Sequence, residues 1–268
     1  MISLRPLAGG CVSNAYDIRL SNGNRCVAKT LDGAGDLSIE GGMLRYLKNQ
    51  SELPVPQVYH ADKSLLVLEH IRSDAPLSSP AQRDAAHHIA RLHTLTQANY
   101  GFETDTLIGP FKQPNPPSER WVPFFRDHRL LYMAELAETA GQLPKPMTNR
   151  IRSLADQLER YLIEPDRPSL IHGDLWAGNM LCFDNAISGF IDPAICYADA
   201  EIELAFTTLF STFGEAFFKT YQEHRPIKPG FFEERCDLYN LYPLLVHARL
   251  FGGHYVSSVA NTLKRFGF

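Results

Sequence analysis

Residues 169–194 read SLIHGDLWAGNMLCFDNAISGFIDPA, and the interpretation of the whole chain turns on them. Asp174 and Asn179 stand five apart within His172-Gly173-Asp174-Leu175-Trp176-Ala177-Gly178-Asn179. An apolar run from Met180 to Phe183, the turn formers Asp184-Asn185 and a second run from Ile187 to Ile191 then follow, the pattern of a β-hairpin. A four-residue loop setting Phe183 opposite Ser188 brings Asn179 opposite Asp192, and a register shift of two still leaves them close. Asp, Asn and Gly are also common in plain turns. Two unrelated turns, however, would explain no particular spacing.

Phosphoryl transfer needs a carboxylate to orient and deprotonate an attacking hydroxyl, and an amide with a second carboxylate to hold the magnesium ions that bridge nucleotide phosphates. Asp174 is the candidate base, and Asn179 and Asp192 are the candidate Mg2+ ligands. The spacing is similar to that of the protein-kinase catalytic loop, with Gly173 in place of its Arg.

At 268 residues and 30.2 kDa, the chain is long enough for one bilobal unit or two small domains. Its 44% hydrophobic and 21% charged residues are those of an ordered globular protein. A net charge of -4 leaves no electrostatic footprint for nucleic acid. The N-terminus lacks a basic segment followed by an apolar one, and no uncharged run approaches the roughly 18 residues of a membrane span, so a cytoplasmic location is expected. Five cysteines without CxxC spacing suggest neither a disulfide framework nor a zinc site.

Residues 1–72 read as a small, mostly β lobe. Leu7-Ala8-Gly9-Gly10-Cys11-Val12-Ser13-Asn14 follows a short apolar strand, and its small residues, Gly9, Gly10, Cys11 and Ser13 among them, would let the backbone approach a phosphate. A plain turn fits the two glycines as well. Asn22-Gly23 predicts a two-residue hairpin turn. In the next strand Lys29 shares a face with Val27 and Leu31. A lysine on an apolar face wants a charged partner; an edge-strand lysine with its head in water is the commoner use, but VAK after a small-residue loop and a hairpin favours the inward reading. The spacing of Leu37, Met43, Leu44 and Leu47 predicts a helix over 36–50, capped by Asp36, with Glu40 as the Lys29 partner. The strand Leu65-Leu66-Val67-Leu68 leads into Glu69-His70-Ile71, a hinge whose backbone groups would meet an adenine.

Helices dominate from Ser79. His93 shares a face with Ala86, Ile89 and Ala90, which favours a hydrogen-bonded core histidine over a catalytic one. Residues 100–119 read as a long ordered loop, and residues 121–140 and 148–163 as helices. Asp199, Glu201 and Glu203 open a further helix, where acids suit the dipole; one of them holding backbone amides of the catalytic loop is an equal alternative. The aromatic tail, with Tyr239, Tyr242, His247, Phe251 and Tyr255, fits core better than a sugar pocket.

With these segments in view the chain resembles the fructosamine kinase (ketosamine-3-kinase) family, a branch of the protein-kinase-like fold that also holds aminoglycoside phosphotransferases. The resemblance runs through HGDLWAGN, IDPAICYADAEIELA, RLHTLTQANYGFETDTLIG, WVPFFRDHRL and LFGGHY. It implies an α+β bilobal kinase-like fold, with a β-rich N-lobe over 1–72 and a helical C-lobe over 73–268. It also implies ATP-dependent transfer to the 3-hydroxyl of a small or protein-bound ketosamine, in the service of protein deglycation. Asp174 would be the base, Asn179 and Asp192 the Mg2+ ligands, and Lys29 with Glu40 the nucleotide pair. Glu69, His70 and Ile71 would form the adenine hinge, and His172, Trp176, His247 and Tyr255 are candidates to contact the acceptor. Cys11 sits at a loop position where a disulfide between protomers is conceivable; monomer or weak homodimer is expected. Pro193-Ala194 after the metal carboxylate, with Gly173, argues against switching by loop phosphorylation. A phosphotransferase for an aminoglycoside, choline or homoserine is the main rival, and a binding module that keeps the fold without catalysis is the other.

Overall fold

A computed structural model of the chain describes residues 3–7, 13–31 and 35–268. Its N-terminal part is built from β1 (Ser3–Pro6), β2 (Asn14–Arg19), β3 (Arg25–Thr30), α1 (Leu37–Gln50), β4 (Val58–Ala61) and β5 (Leu65–Glu69). The strands form one antiparallel sheet in the order β1-β2-β3-β5-β4. The β2–β3 connection closes over three residues rather than two: Leu20 N–H bonds Asn24 O at 2.8 Å, with Gly23 at φ +87°. A left-handed third residue restores the strand twist after an ordinary turn.

α1 begins where Asp36 accepts the Ser38 amide at 3.0 Å. Leu44 and Leu47 are fully buried beneath it, each contributing about 1.5–3 kcal/mol. Gly41 costs helix propensity, and close packing explains its presence. A Cβ there would stand 2.5 Å from Ala61 Cβ, so the bare Gly41 lets the helix settle onto β4.

The remainder is mainly helical. α2 (Ser79–Leu92) is capped by Ser78. The stretch read as a loop over 100–119 contains a small hairpin of β6 (Thr106–Ile108) and β7 (Phe111–Gln113), whose three-residue strands are too short to show a period of two. α3 (Trp121–Phe125) passes through a wide π turn over 126–131 into α4 (Tyr132–Thr139). α5 (Lys145–Ala155) starts earlier than its apolar spacing predicts, because Pro146 falls in the first turn, where its missing N–H costs nothing. Then come β8 (Ser169–Ile171), β9 (Met180–Phe183), β10 (Ala186–Phe190), β11 (Cys196–Ala198), α6 (Ala200–Leu209), α7 (Glu215–His224), α8 (Cys236–Phe251) and α9 (His254–Arg265). α8 is apolar nearly all round and runs through the core beside α6. Trp121 and Phe125 pack against its Tyr239, with the Trp121 indole N–H donating to Tyr239 OH at 2.8 Å.

Candidate active site

The β9–β10 hairpin turns over two residues, not four. Asp184 and Asn185 take left-handed φ values of 50° and 62°, the geometry of a tight hairpin turn that Asp and Asn tolerate. Phe183 pairs with Ala186 and Ile187 with Cys182, then a bulge at Ser188 moves the register by one so that Gly189 faces Leu181. Asn179 consequently lies opposite Ile191, whose N–H reaches Asn179 O at 3.0 Å, and Asp192 follows one residue beyond. The bulge recovers part of the slip, and both Asn179 and Asp192 border the same cleft.

Asp174 and Asn179 are joined directly. Asn179 Nδ2 donates to Asp174 Oδ2 at 2.8 Å and to Asp174 O at 2.9 Å. Burial pushes the Asp174 carboxyl up to about 7; Asp192 and Glu203 push the same way, and the Asn179 bond opposes them. Such a group is poised to take up a proton near neutrality.

Lys29 is 7% exposed, on the cleft face of β3 with Val27 and Leu31. Its Nζ donates to Glu40 Oε1 at 2.8 Å and to the Asp192 carboxylate. Burial works against the ammonium, but Glu40 and Asp192 together outweigh it and hold its pKa above the ordinary lysine value. The N-terminal sheet is thereby tied to the hairpin across a cleft of about 1340 Å3.

The turn that carries Asp174 is held from below. Glu203 on α6 accepts the Gly173 amide at 2.6 Å and the His172 amide at 3.2 Å. Of the two readings of the acids, the amide-holding one describes Glu203. Asp199 caps the helix, accepting the Glu201 amide at 3.0 Å, and Glu201 forms a two-bond pair with Arg235 at 2.6 and 2.8 Å. His93 is the buried, hydrogen-bonded histidine its helical position suggests: Nε2 lies 2.9 Å from Glu203 and Nδ1 2.8 Å from Tyr221 OH.

The other expected positions divide. Gly9, Gly10 and Cys11 lie outside the described residues; Ser13 lines the cleft. Glu69, His70 and Ile71 border it as well, although the Glu69 carboxylate is engaged by the Gln57 amide at 3.0 Å and its own amide by Gln57 O at 2.8 Å. His172 is fully buried, its ring 6.0 Å from that of Phe190, and so has no surface to offer an acceptor. The sharp backbone path at Gly173 (φ +85°) drives it inward. Trp176 is 41% exposed at the cleft mouth, its ring 6.2 Å from Phe210, which in turn lies 5.0 Å from His247. His247 Nδ1 donates to Pro243 O at 2.8 Å and burial lowers its pKa, so the ring is neutral. Tyr255 packs behind His247 at 5.0 Å and does not border the cleft. Tyr239 is buried in the core, as expected for the tail, but Tyr242, His247 and the exposed Phe251 line the cleft, where Phe210 and Gln113 join them unanticipated.

Among the described residues no group of three His, Cys, Asp or Glu is placed to hold a metal by itself. Asp192 and Asn179 nonetheless suit Mg2+, which takes one or two side-chain oxygens and completes its shell with phosphate and water. The Asn179 side chain donates from Nδ2 to both Asp174 acceptors, so Oδ1 is the atom suited to a cation. No helix among the described residues is long and apolar enough to cross a membrane.

Comparison with known proteins agrees with this geometry. The family described as fructosamine kinase matches residues 2–266. A "probable ketoamine kinase" of Synechocystis sp. is 33% identical over 97% of this chain and 89% of its own length. The "probable ketoamine kinase YniA" of Escherichia coli K12 is 30% identical over 97% and 91%. A crystal structure from Thermobifida fusca YX-ER1, provisionally named a fructosamine-3-kinase, superposes with a TM-score of 0.87 at 29% identity, covering 98% of this chain and 92% of that one. A thermostable mutant of aminoglycoside phosphotransferase APH(4)-Ia, 16% identical with a TM-score of 0.68 over 99% and 94% of the chains, shares the fold.

Proposed function

This chain belongs to the fructosamine kinase family and is a phosphotransferase, and we propose on that footing that it moves the γ-phosphoryl group of ATP to the 3-hydroxyl of a fructosamine or ribulosamine. The observation that carries the reading is that Lys29 pairs with Glu40 on one wall of the cleft and with Asp192 on the other, the wall where Asp174 and Asn179 are joined. Residues 1–72 would hold the nucleotide and residues 73–268 the catalytic turn and the acceptor.

Asp174 orients the sugar hydroxyl and takes its proton as the new P–O bond forms and the bond from the γ phosphorus to the bridging oxygen breaks, releasing ADP. Asn179 fixes one carboxylate oxygen and so the direction in which the base points. Lys29, paired with Glu40, sets its charge against the nucleotide phosphates, and Asn179 and Asp192 would hold Mg2+. When bound, the ion neutralises charge on the phosphate oxygens. Trp176 and His247 at the mouth offer apolar ring surface to the acceptor, and the neutral His247 does not repel its ammonium. A phosphate on C3 stands on the carbon next to the C2 carbonyl, so loss of a C1 proton gives a 1,2-enaminol that expels phosphate from C3. Water then hydrolyses the resulting C1 imine to free the amine, consistent with a role in reversing glycation.

The test is a coupled ADP-release assay with Mg-ATP over ketosamines of four, five and six carbons, beside aminoglycosides, choline and homoserine. ADP release with a ketosamine alone is the expected outcome. Turnover confined to the other acceptors would replace the substrate assignment.

A further inference from the structure

Asp192 has φ +55°, a left-handed conformation uncommon outside glycine but one that Asp tolerates, and its backbone neighbours are tied on both sides. On its N-terminal side the Ile191 amide bonds Asn179 O. On its C-terminal side the Ala194 amide bonds His172 O at 2.8 Å, and the next two carbonyls are taken by the β6–β7 hairpin. Gln113 Nε2 donates to Ala194 O at 3.0 Å and Thr106 Oγ1 donates to Ile195 O at 3.2 Å.

The orientation of the Gln113 amide is decided by its neighbours. Ala194 O can only accept, so Nε2 must face it, and Oε1 then accepts from Tyr242 OH at 2.8 Å. Gln113 Nε2 and Asn115 Nδ2 both donate to Thr106 Oγ1, at 2.9 and 2.8 Å, while Asn115 Oδ1 accepts from the buried Arg129 at 2.6 Å. These polar side chains are buried together, an arrangement that an apolar core would replace at lower desolvation cost. Their shared product is a fixed path for the residues just after Asp192.

We propose that Gln113, oriented by Tyr242 and assisted by Thr106, is a positioning residue that locks the Asp192 turn in its working conformation. It does for this chain what a switchable segment does elsewhere, without a switch. The proposal rests on the reading of Asp192 as the cation carboxylate.

Hydrogen exchange of the ligand-free protein and steady-state kinetics test it together in Gln113→Met, with Tyr242→Phe, which removes the one bond to Gln113 Oε1, and Thr106→Val, which removes the bonds of Thr106 Oγ1 to Ile195, Gln113 and Asn115. The expected result is faster exchange confined to residues 189–197, including the Ala194 amide. With it kcat falls about 10- to 100-fold, the usual cost of losing a partner behind a metal ligand, while the acceptor KM stays near that of the wild type. Smaller changes of the same kind are expected in Tyr242→Phe and Thr106→Val, which decide the matter should Gln113→Met not fold. Wild-type exchange over 189–197, or exchange raised evenly throughout with kcat tracking the loss of folded protein, overturns the clamp. A wild-type enzyme inactive on every ketosamine would instead overturn the function, and the exchange measurement would still judge the clamp.

Discussion

Asp174 combines a proton-accepting position with a carboxyl that burial lifts to about 7. Asp174→Asn keeps the shape and the contact with Asn179 but removes the base. It should lower kcat by a factor on the order of 100 or more, with ATP affinity by calorimetry little changed; undiminished turnover would remove Asp174 from the chemistry. Gly173 makes a complementary case. A Cβ there would lie 2.1 Å from Ala194 O, a backbone atom that cannot step aside. Gly173→Ala also forces an unfavourable left-handed φ, on the order of 1–3 kcal/mol before any clash, so both melting temperature and kcat should fall. A melting curve that overlays the wild type would show that the turn can relax.

At the level of elements, α2, α6 and α7 meet at the Glu203–His93–Tyr221 chain beneath the catalytic turn. Burial depresses the His93 pKa below its ordinary 6.5. For Glu203 burial works the other way, but hydrogen bonds from His93 and Gly173 prevail and hold its pKa below the ordinary 4.5. In both cases the unfolded chain binds protons first as pH falls. Their stabilisation is therefore present above those ordinary values and is lost below them, beginning near pH 6.5 with His93. Asp174 and Asp199, whose pKa values burial raises, contribute with the opposite sign, so a comparison between proteins is the informative measurement. Between pH 7.5 and 5.5 stability should fall less steeply in His93→Gln than in the wild type, by at most about 1.4 kcal/mol per pH unit for one proton. Parallel urea midpoints across that range would mean that His93 does not titrate with unfolding.

For the molecule as a whole, the cleft is bridged by one lysine that answers to both sides, Glu40 on α1 and Asp192 at the hairpin end. Mg-ATP at about a hundredfold excess over its Kd should add about 2.7 kcal/mol to stability, read as a rise in melting temperature, and Lys29→Met should largely abolish that rise. An equal shift in the variant would place the nucleotide elsewhere. Much of this plan was legible in the residues alone, because HGDLWAGN, the hairpin signature and VAK are local patterns whose spacing is set by chemistry over a few bonds. Asp36 as a cap and Glu40 as the lysine partner followed from helical spacing in the same way. Three-dimensional packing alone decided the rest. The hairpin register was set by the left-handed pair Asp184-Asn185 and a bulge, because loop length is a compromise with what the strands pack against. His172 went inward since the chain must bend at Gly173, and Gln113 found Ala194 because two three-residue strands fold under the cleft, contacts between residues 81 apart that no periodicity records.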